Sequence, residues 1–522
     1  MTESSPVGAR HAGDPGRRSS TAPKPVQNTT SSCSVFLFLA LASLVFARTA
    51  VAGPYIEPGD VALRHDIQLL ADHGVIRGPV TTWPLAWGPI LEALRDADAT
   101  ELSPMLADAY SRVRTRARWE TRTNEVRFDT SLAVAEEPTR IRSFQNTPRG
   151  DVQLTAGADW TGDWLSLDLN VQALDSDQDS SDARADNSMI GVAAGNWTIA
   201  ASTQDRWWGP GWDGSLILSN NARPIPSLMI DRIFTDPFET KWLSWIGPWD
   251  MTILFGQLES EREVPDARFF GMRVNFRPTE SLEIGLSRTA LWCGEDRPCG
   301  FDTFVDLYFG RDNLGDAGVT EENEPGTQEA GFDIRWSPAY FDRNVAFYGQ
   351  FIGEDEAGGL PSKWFGQFGA EWSGVLRERW SARAFLELAA TSCQFQENSE
   401  IFNCAYNHSI YKTGFRYRGR TIGHPADNDA RLVSSGLSLV DSDGTAWYAL
   451  LRAGPLNRAD LPDARNSLTP LRQDIVSIDV THVRPTAFGT VAAGIGYERV
   501  DDEASGRTDD DARFFVEWRS GF

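Results

Sequence analysis

DWLSLDLNVQA, residues 163–173, puts Leu165, Leu167, Leu169, Val171 and Ala173 on one parity and Ser166, Asp168, Asn170 and Gln172 on the other. Successive side chains of an extended strand point to opposite faces, so this segment has one apolar face and one polar face. The pattern recurs along the chain. Phe270, Met272, Val274 and Phe276 alternate with Gly271, Arg273 and Asn275. Ala330, Phe332, Ile334 and Trp336 alternate with Glu329, Gly331, Asp333 and Arg335, and Val476, Ile478 and Val480 repeat the period further on. One face is greasy throughout, and the other carries charge of both signs.

Residues 121–522 contain roughly 18 such segments, about one per 22 residues, which fits a strand of ~10 residues plus a connection. A sheet of that size exposes unpaired edges unless it closes on itself. Mean hydropathy is −0.34, and beyond the N-terminal leader no stretch is long and apolar enough for a spanning helix. The 19 Trp and 28 Phe suit a barrel that needs aromatic rings at both lipid–water interfaces. These features predict an all-β transmembrane barrel of about 18 antiparallel strands; two soluble sandwiches are the competing reading. At the C-terminus, Phe514, Val516, Trp518 and Phe522 share one parity. Such an ending resembles the assembly signal of Gram-negative outer-membrane barrels, making the barrel assembly machinery and outer-membrane lipid expected partners.

Val35–Phe46 is a short apolar run preceded by Arg17, Arg18 and Lys24 and followed by Ala50-Val51-Ala52. This reads as a secretory signal peptide with a long front end, residues 1–52. The other cysteines fall into two close pairs, Cys293 with Cys299 and Cys393 with Cys404. Two loop disulfides formed in an oxidising compartment are expected, a four-thiolate zinc site being the alternative. The net charge of −24 excludes nucleic acid as a partner reached through the overall field.

Residues 53–120 read as a helical periplasmic bundle or plug. Leu63, Ile67 and Leu70 recur at helical spacing before Gly74, Trp87, Ile90, Leu91 and Leu94 form a second stripe after Pro84, and Ser103-Pro104 opens a third helix. The barrel then occupies 121–522.

Two tracts stand outside the alternation. In the first, 205–224, Trp207, Trp208 and Trp212 surround two glycines and a proline, followed by Asn220, Asn221 and Arg223. Exposed indoles with amide and guanidinium donors suit a sugar ring; an interfacial girdle or a packed inner loop is the plainer reading. In the second, 406–429, period-two geometry puts Arg416, Arg418 and Arg420 on one strand face. They form either an anion-binding ladder for acidic sugars or counter-charges to inward carboxylates such as Asp333 and Asp479. The acidic runs 175–186, 321–324, 501–503 and 509–511 read as solvated loops. No G-x-S-x-G, H-E-x-x-H or phosphate-binding glycine loop is present. His424 with Asp427 and Asp429 reads as a loop hydrogen-bonding group. The expectation is therefore a non-enzyme with no cofactor and no metal.

The stretches WWGPGWDGSLILSNNARPIP (207–226) and YNHSIYKTGFRYRGRTIGHPADND (406–429), with RHDIQLLADHGVI (64–76) and WPLAW (83–87), resemble the capsule-assembly Wzi family of outer-membrane proteins. The resemblance implies an 18-stranded barrel whose periplasmic end is closed by an N-terminal helical bundle. It also implies a lectin-like role, attaching capsular or exopolysaccharide to the surface of a Gram-negative cell. The polysaccharide-binding residues expected from the chemistry are Trp207, Trp208, Trp212, Asn220, Asn221, Arg223, Arg416, Arg418 and Arg420, on a monomer. A diffusion or export channel for anions or saccharides is the other reading.

Overall fold

In lipid every backbone N–H and C=O needs a partner within the protein, which a strand obtains only from neighbours on both sides. The computed structural model describes residues 53–520 except 177–182, 309–319, 321–323, 358–359, 378, 398 and 460–461. The amphipathic strands form one closed antiparallel barrel of eighteen, counting Ala183–Arg184 and Met189–Ala194 as a single interrupted strand beside Leu165–Asp175. Closure is made by Arg507–Arg519 on Val126–Glu136, with Val516 opposite Val134 and Trp518 opposite Leu132. Phe522 lies outside the described residues.

The polarity is inverted relative to a soluble protein. Along Leu165–Asp175, Leu169 and Val171 are 47% and 64% exposed, whereas Ser166 and Gln172 are 2% and 8%. Exposed Leu132, Val134, Leu286, Leu388, Val476, Ile478 and Phe514 continue the outward band. Arg273, Asn275, Asp333, Glu371, Arg383 and Arg452 are buried inside. A wall apolar outward and charged inward is stable only with lipid as its solvent. The two-sandwich alternative is excluded by closure together with this inversion.

The two ends differ. Short turns join Thr161 to Leu165, Ala194 to Trp197, Thr279 to Leu282, Val440 to Ala446 and Thr486 to Gly489. The connections 137–151, 203–226, 258–267, 293–325, 391–430 and 457–472 emerge at the opposite end, while the short-turn end carries one connection of comparable length, 233–248. Outer-membrane barrels keep short turns on the periplasmic side and long loops outside, which orients the molecule. Trp164, Trp242, Trp245, Tyr340, Phe341 and Phe488 are exposed around the short-turn end, where an aromatic girdle meets the lipid headgroups.

Three helices precede the first barrel strand: α1 (Val61–Asp72), α2 (Trp87–Asp96) and α3 (Pro104–Glu120). Asp60 caps α1 by accepting from the Leu63 N–H at 3.0 Å, and Gly74, at φ +79°, supplies the left-handed residue that ends it. Ser103 precedes α3 but makes no side-chain capping bond. Because α3 leads directly into Val126, the helices occupy the periplasmic mouth. α1 is buried on every side, so its polar residues need partners on the wall. Arg383 Nε donates to His65 Nδ1 at 3.1 Å, leaving His65 Nε2 to donate to Ser381 Oγ at 2.7 Å. Asp72 receives the Arg335 guanidinium at 2.8 Å, and Asp66 receives Arg112 of α3 at 2.6 Å.

Candidate functional site

Tract 205–224 connects the neighbouring wall strands Trp197–Ser202 and Ser227–Arg232, and the outer loop 391–430 connects Trp380–Ala390 and Arg431–Val440. The first does not run over the rim: 205–224 folds down into the lumen. Trp207 and Trp208 pair with Trp83 and Thr82, and both indoles are fully buried. Phe144 lies edge-on to Trp83 and Trp207 at 5.1 and 5.4 Å. Arg64 of α1 stands 4.2 Å over the Phe144 ring and 4.1 Å over that of Trp212, and donates to the Pro210 and Gly211 carbonyls at 2.9 and 2.8 Å. Burial lowers its pKa to about 9, but the carbonyls and ring faces stabilise the cation where it sits. The glycines are steric necessities. A Cβ on Gly211 would fall 2.1 Å from the Gly214 carbonyl oxygen, and one on Gly214 would fall 2.2 Å from His424 Nε2.

The wall's inward charges hold this plug. Trp212 Nε1–H donates to Glu371 at 2.5 Å, while Glu371 also takes Arg383 at 2.9 Å and the Arg335 guanidinium. Arg452 grips Asp213 at 2.7 Å. Gln350 accepts from the Leu216 N–H at 2.7 Å and donates to the Trp208 carbonyl at 2.8 Å. Glu387 accepts from the Asp213 N–H at 3.1 Å and from the Tyr348 hydroxyl at 2.7 Å. Asp333 pairs with Arg273, and Asp479 with Arg513.

Loop 391–430 closes over the plug from outside. Ser219 N–H donates to the Ile422 carbonyl at 2.9 Å, Ser219 Oγ to Gly423 at 2.6 Å, Asn221 Nδ2 to Thr421 at 3.0 Å and the Tyr406 hydroxyl to Leu216 at 2.7 Å. The two tracts, about 200 residues apart in sequence, are thus one interlocked body. Arg149 completes it by donating to the carbonyls of Asn220, Asn221 and Ala222 at 2.7, 3.0 and 3.2 Å. Disulfides Cys293–Cys299 and Cys393–Cys404 brace the outer loops, and the Tyr411 hydroxyl donates to the Cys293 carbonyl at 3.0 Å.

These contacts correct the expected site geometry. Trp207, Trp208 and Trp212 do not offer exposed faces, and Asn220 and Asn221 are buried with them in a packed inner loop. Arg223 is spent on Asp186 at 2.9 Å through two nitrogens. The arginine ladder does not exist as one strand face. Arg416-Tyr417 and Arg420-Thr421 are the arms of a tight hairpin, with Arg418 at φ +47° and Gly419 at φ +79° turning it. Arg416 is buried against Asp427 at 2.6 Å and Asn407 at 2.9 Å, not against Asp333 or Asp479. Arg420 is buried and donates to the Arg140 carbonyl at 3.1 Å. Only Arg418, half-exposed beside Tyr417 at the hairpin tip, faces the outside. Sequence reasoning missed Arg64, Arg149, Glu371, Glu387 and Arg452, although the inward parity of the last three marks them as lumen residues.

Among the described residues no group of three or more His, Cys, Asp or Glu is placed to hold a metal ion. Burial of His424, on loop 391–430 against the plug, lowers its pKa to about 4, with Asp213 opposing and Arg452 assisting the shift. Its Nδ1 accepts from the Ala426 N–H at 3.1 Å. A folded-state pKa below the unfolded one means the unfolded chain binds the extra proton first. Stability should therefore fall by about 3 kcal/mol as pH drops from 6.5 to about 4. His424→Asn should remove that component. The check is the difference in unfolding midpoint between wild type and variant across this window, because Asp66 and Asp429, both raised to about 6 by burial, contribute with the opposite sign in both proteins.

The fold and its interior define a class: an outer-membrane β-barrel whose lumen is stoppered by its own N-terminal helices and an inward-folded loop. Within it, the chain belongs to the capsule assembly protein Wzi family, whose model matches residues 125–511. A Klebsiella pneumoniae protein, the uncharacterized 55.8 kDa protein in the cps region, is 34% identical over 330 residues. That match covers 62% of this chain and 62% of the Klebsiella protein, less than two thirds of the relative's length. The structure of Wzi from Escherichia coli, an outer-membrane carbohydrate-binding β-barrel involved in group 1 capsule assembly, superposes with a TM-score of 0.78 at 26% identity. The match covers 90% of this chain and all of that one.

Proposed function

We propose that this protein binds capsular or exopolysaccharide on its outer face and holds it at the cell surface, without chemistry on the glycan and without passing it through the barrel. Residues 1–52 are removed on export, and the mature barrel acts as a monomer. One observation carries the reading: 205–224 and 391–430 interlock inside and above the lumen, so the outer end is a braced surface instead of a mouth. Membership of the Wzi family and the carbohydrate binding of the Escherichia coli relative support it. The contact surface is the outer rim, with Arg418 at the tip of the 416–421 hairpin and the exposed Lys412 just before it, not the buried tryptophans.

Purified protein should be retained by immobilised capsular polysaccharide. Replacing Arg418 and Lys412 together by glutamate should weaken retention of an acidic glycan while leaving heat-modifiability on gels unchanged; a pair without effect would move the contact elsewhere on the rim. The same protein should pass no current in planar bilayers. Saccharide-permeable conductance would overturn the proposal in favour of a channel.

A further inference from the structure

The outer loops 391–430 and 457–472 meet at Asp427-Asn428-Asp429, three residues that are fully buried. Hydrogen bonds from both loops fix this node. The Asp429 N–H donates to the Thr391 carbonyl at 3.1 Å, and the Asp429 carbonyl accepts from the Arg458 N–H at 3.0 Å. Asp429 Oδ2 accepts from the Asn403 N–H at 2.9 Å and from Asn428 Nδ2 at 3.0 Å. From the second loop, Asn466 Nδ2 donates to Asn428 Oδ1 at 3.0 Å and the Ser467 N–H to Asp427 at 2.7 Å.

Charge at the node is not balanced. Asp427 and Asp463 both act electrostatically on Asp429. Asp427 is neutralised by Arg416 at 2.6 Å and Asp463 by Arg465 at 2.7 Å. The Arg458 guanidinium is drawn to Glu400 at 2.6 Å. Among the described residues Asp429 itself forms no ion pair. A carboxylate taken out of water is costly unless something offsets its charge.

Three side-chain oxygens show what is missing. Asp429 Oδ1, Asn403 Oδ1 and Asn457 Oδ1 are buried without a hydrogen-bond partner, and both Asp429 and Asn457 are 0% exposed. Each belongs to the node. Asn403 is tied to it by its N–H on the Asp429 carboxylate, and Asn457 directly precedes Arg458, whose N–H holds the Asp429 carbonyl. Asn457 Nδ2 is committed to the Thr469 carbonyl at 2.9 Å, which fixes the orientation of its amide. All three atoms are acceptors, so they cannot satisfy one another.

We infer that Asp429, Asn403 and Asn457 form a calcium site that joins the two outer loops, with Asp429 Oδ1 as the charged ligand and the two amide oxygens as neutral ones. Ca²⁺ takes carboxylate, amide and water oxygens in flexible geometry, whereas Mg²⁺ demands a near-octahedral shell and Zn²⁺ prefers nitrogen and sulfur. One carboxylate with two amides is a different set from the His, Cys, Asp and Glu clusters absent among the described residues. A single formal charge places the affinity at the weak end for calcium, Kd ~10⁻⁴–10⁻³ M, the range of extracellular modules. The ion clamps 457–472 to the loop that roofs the plug. A proton on Asp429, whose pKa burial raises to about 6, is the competing occupant, and pH separates the two.

Because the node is buried, calcium is supplied while the purified barrel refolds from urea into detergent, at a pH well above 6. Parallel samples receive EDTA. Bound ⁴⁵Ca²⁺ is then counted after dialysis against excess Mg²⁺, which displaces ions held loosely by the acidic surface. Wild type should retain one more calcium per chain than Asp429→Asn, and its midpoint of heat-modifiability should be higher with calcium than with EDTA. Asn457→Asp, which adds a second carboxylate, should bind calcium about tenfold more tightly, and it keeps the test open if Asp429→Asn fails to fold. Equal calcium content in wild type and Asp429→Asn, or an Asn457→Asp affinity no higher than wild type, would overturn the inference. A midpoint that responds to acidification and not to calcium would give the site to the proton. Glycan retention plays no part in these readouts, so the site stands or falls independently of the proposed function.

Discussion

Glu371→Ala should lower the unfolding free energy by about 3–5 kcal/mol, the cost of leaving buried charges without their partner. Three groups lose their acceptor at once: Arg335, Arg383 and the Trp212 indole N–H. Arg335 also holds Asp72 of α1, and Arg383 also donates to His65. The carboxylate is thus the point where wall, helical plug and inward loop meet. Loosening should appear as a lower midpoint of heat-modifiability in detergent and as fluctuating current in planar bilayers where the unaltered protein is expected to pass none. Glu371→Gln, which keeps the shape and one acceptor but removes the charge, should fall between. An alanine variant with an unchanged midpoint would mean that the helices are held by apolar packing alone.

Trp207→Ala should cost a similar ~3–5 kcal/mol, for a different reason: a buried indole leaves a cavity that a rigid barrel wall cannot close. Trp207 is fully buried, its Nε1–H donates to the Gly211 carbonyl at 2.9 Å, and its ring packs on Phe144. The polysaccharide retained per folded molecule should not change, because this side chain never reaches the outer face. The pair of measurements separates a stabilising plug from a binding surface. Reduced retention at full stability would return the tryptophan tract to the site.

Closing the lumen this way has a physical consequence for the proposed role of holding a polymer. A long chain pulling on loose loops would do work against weak local contacts. Here the outer loop 391–430 is hydrogen-bonded to 205–224, which is ion-paired to the wall through Asp213 and Arg452. Load on the surface passes into strands whose unfolding requires opening the whole barrel.

Residue order by itself determined the barrel. Period-two alternation over some 18 segments, greasy on one parity and charged on the other, has one edge-free solution in lipid, and strand side chains cannot avoid alternating. The three helices were legible for the same kind of reason, since Leu63, Ile67 and Leu70 or Trp87, Ile90 and Leu94 leave one stripe to bury. The candidate site was not legible, because local pattern says which residues are unusual but not which way an irregular loop folds. Trp207 and Asn220 carry the same chemistry whether they face a sugar or a lumen, and only the positions of Glu371, Gln350 and Arg149 on distant segments decide it. The arginine ladder failed at one dipeptide. Arg418-Gly419 adopts positive φ at both residues, a turn signal that a strand-period reading passes over.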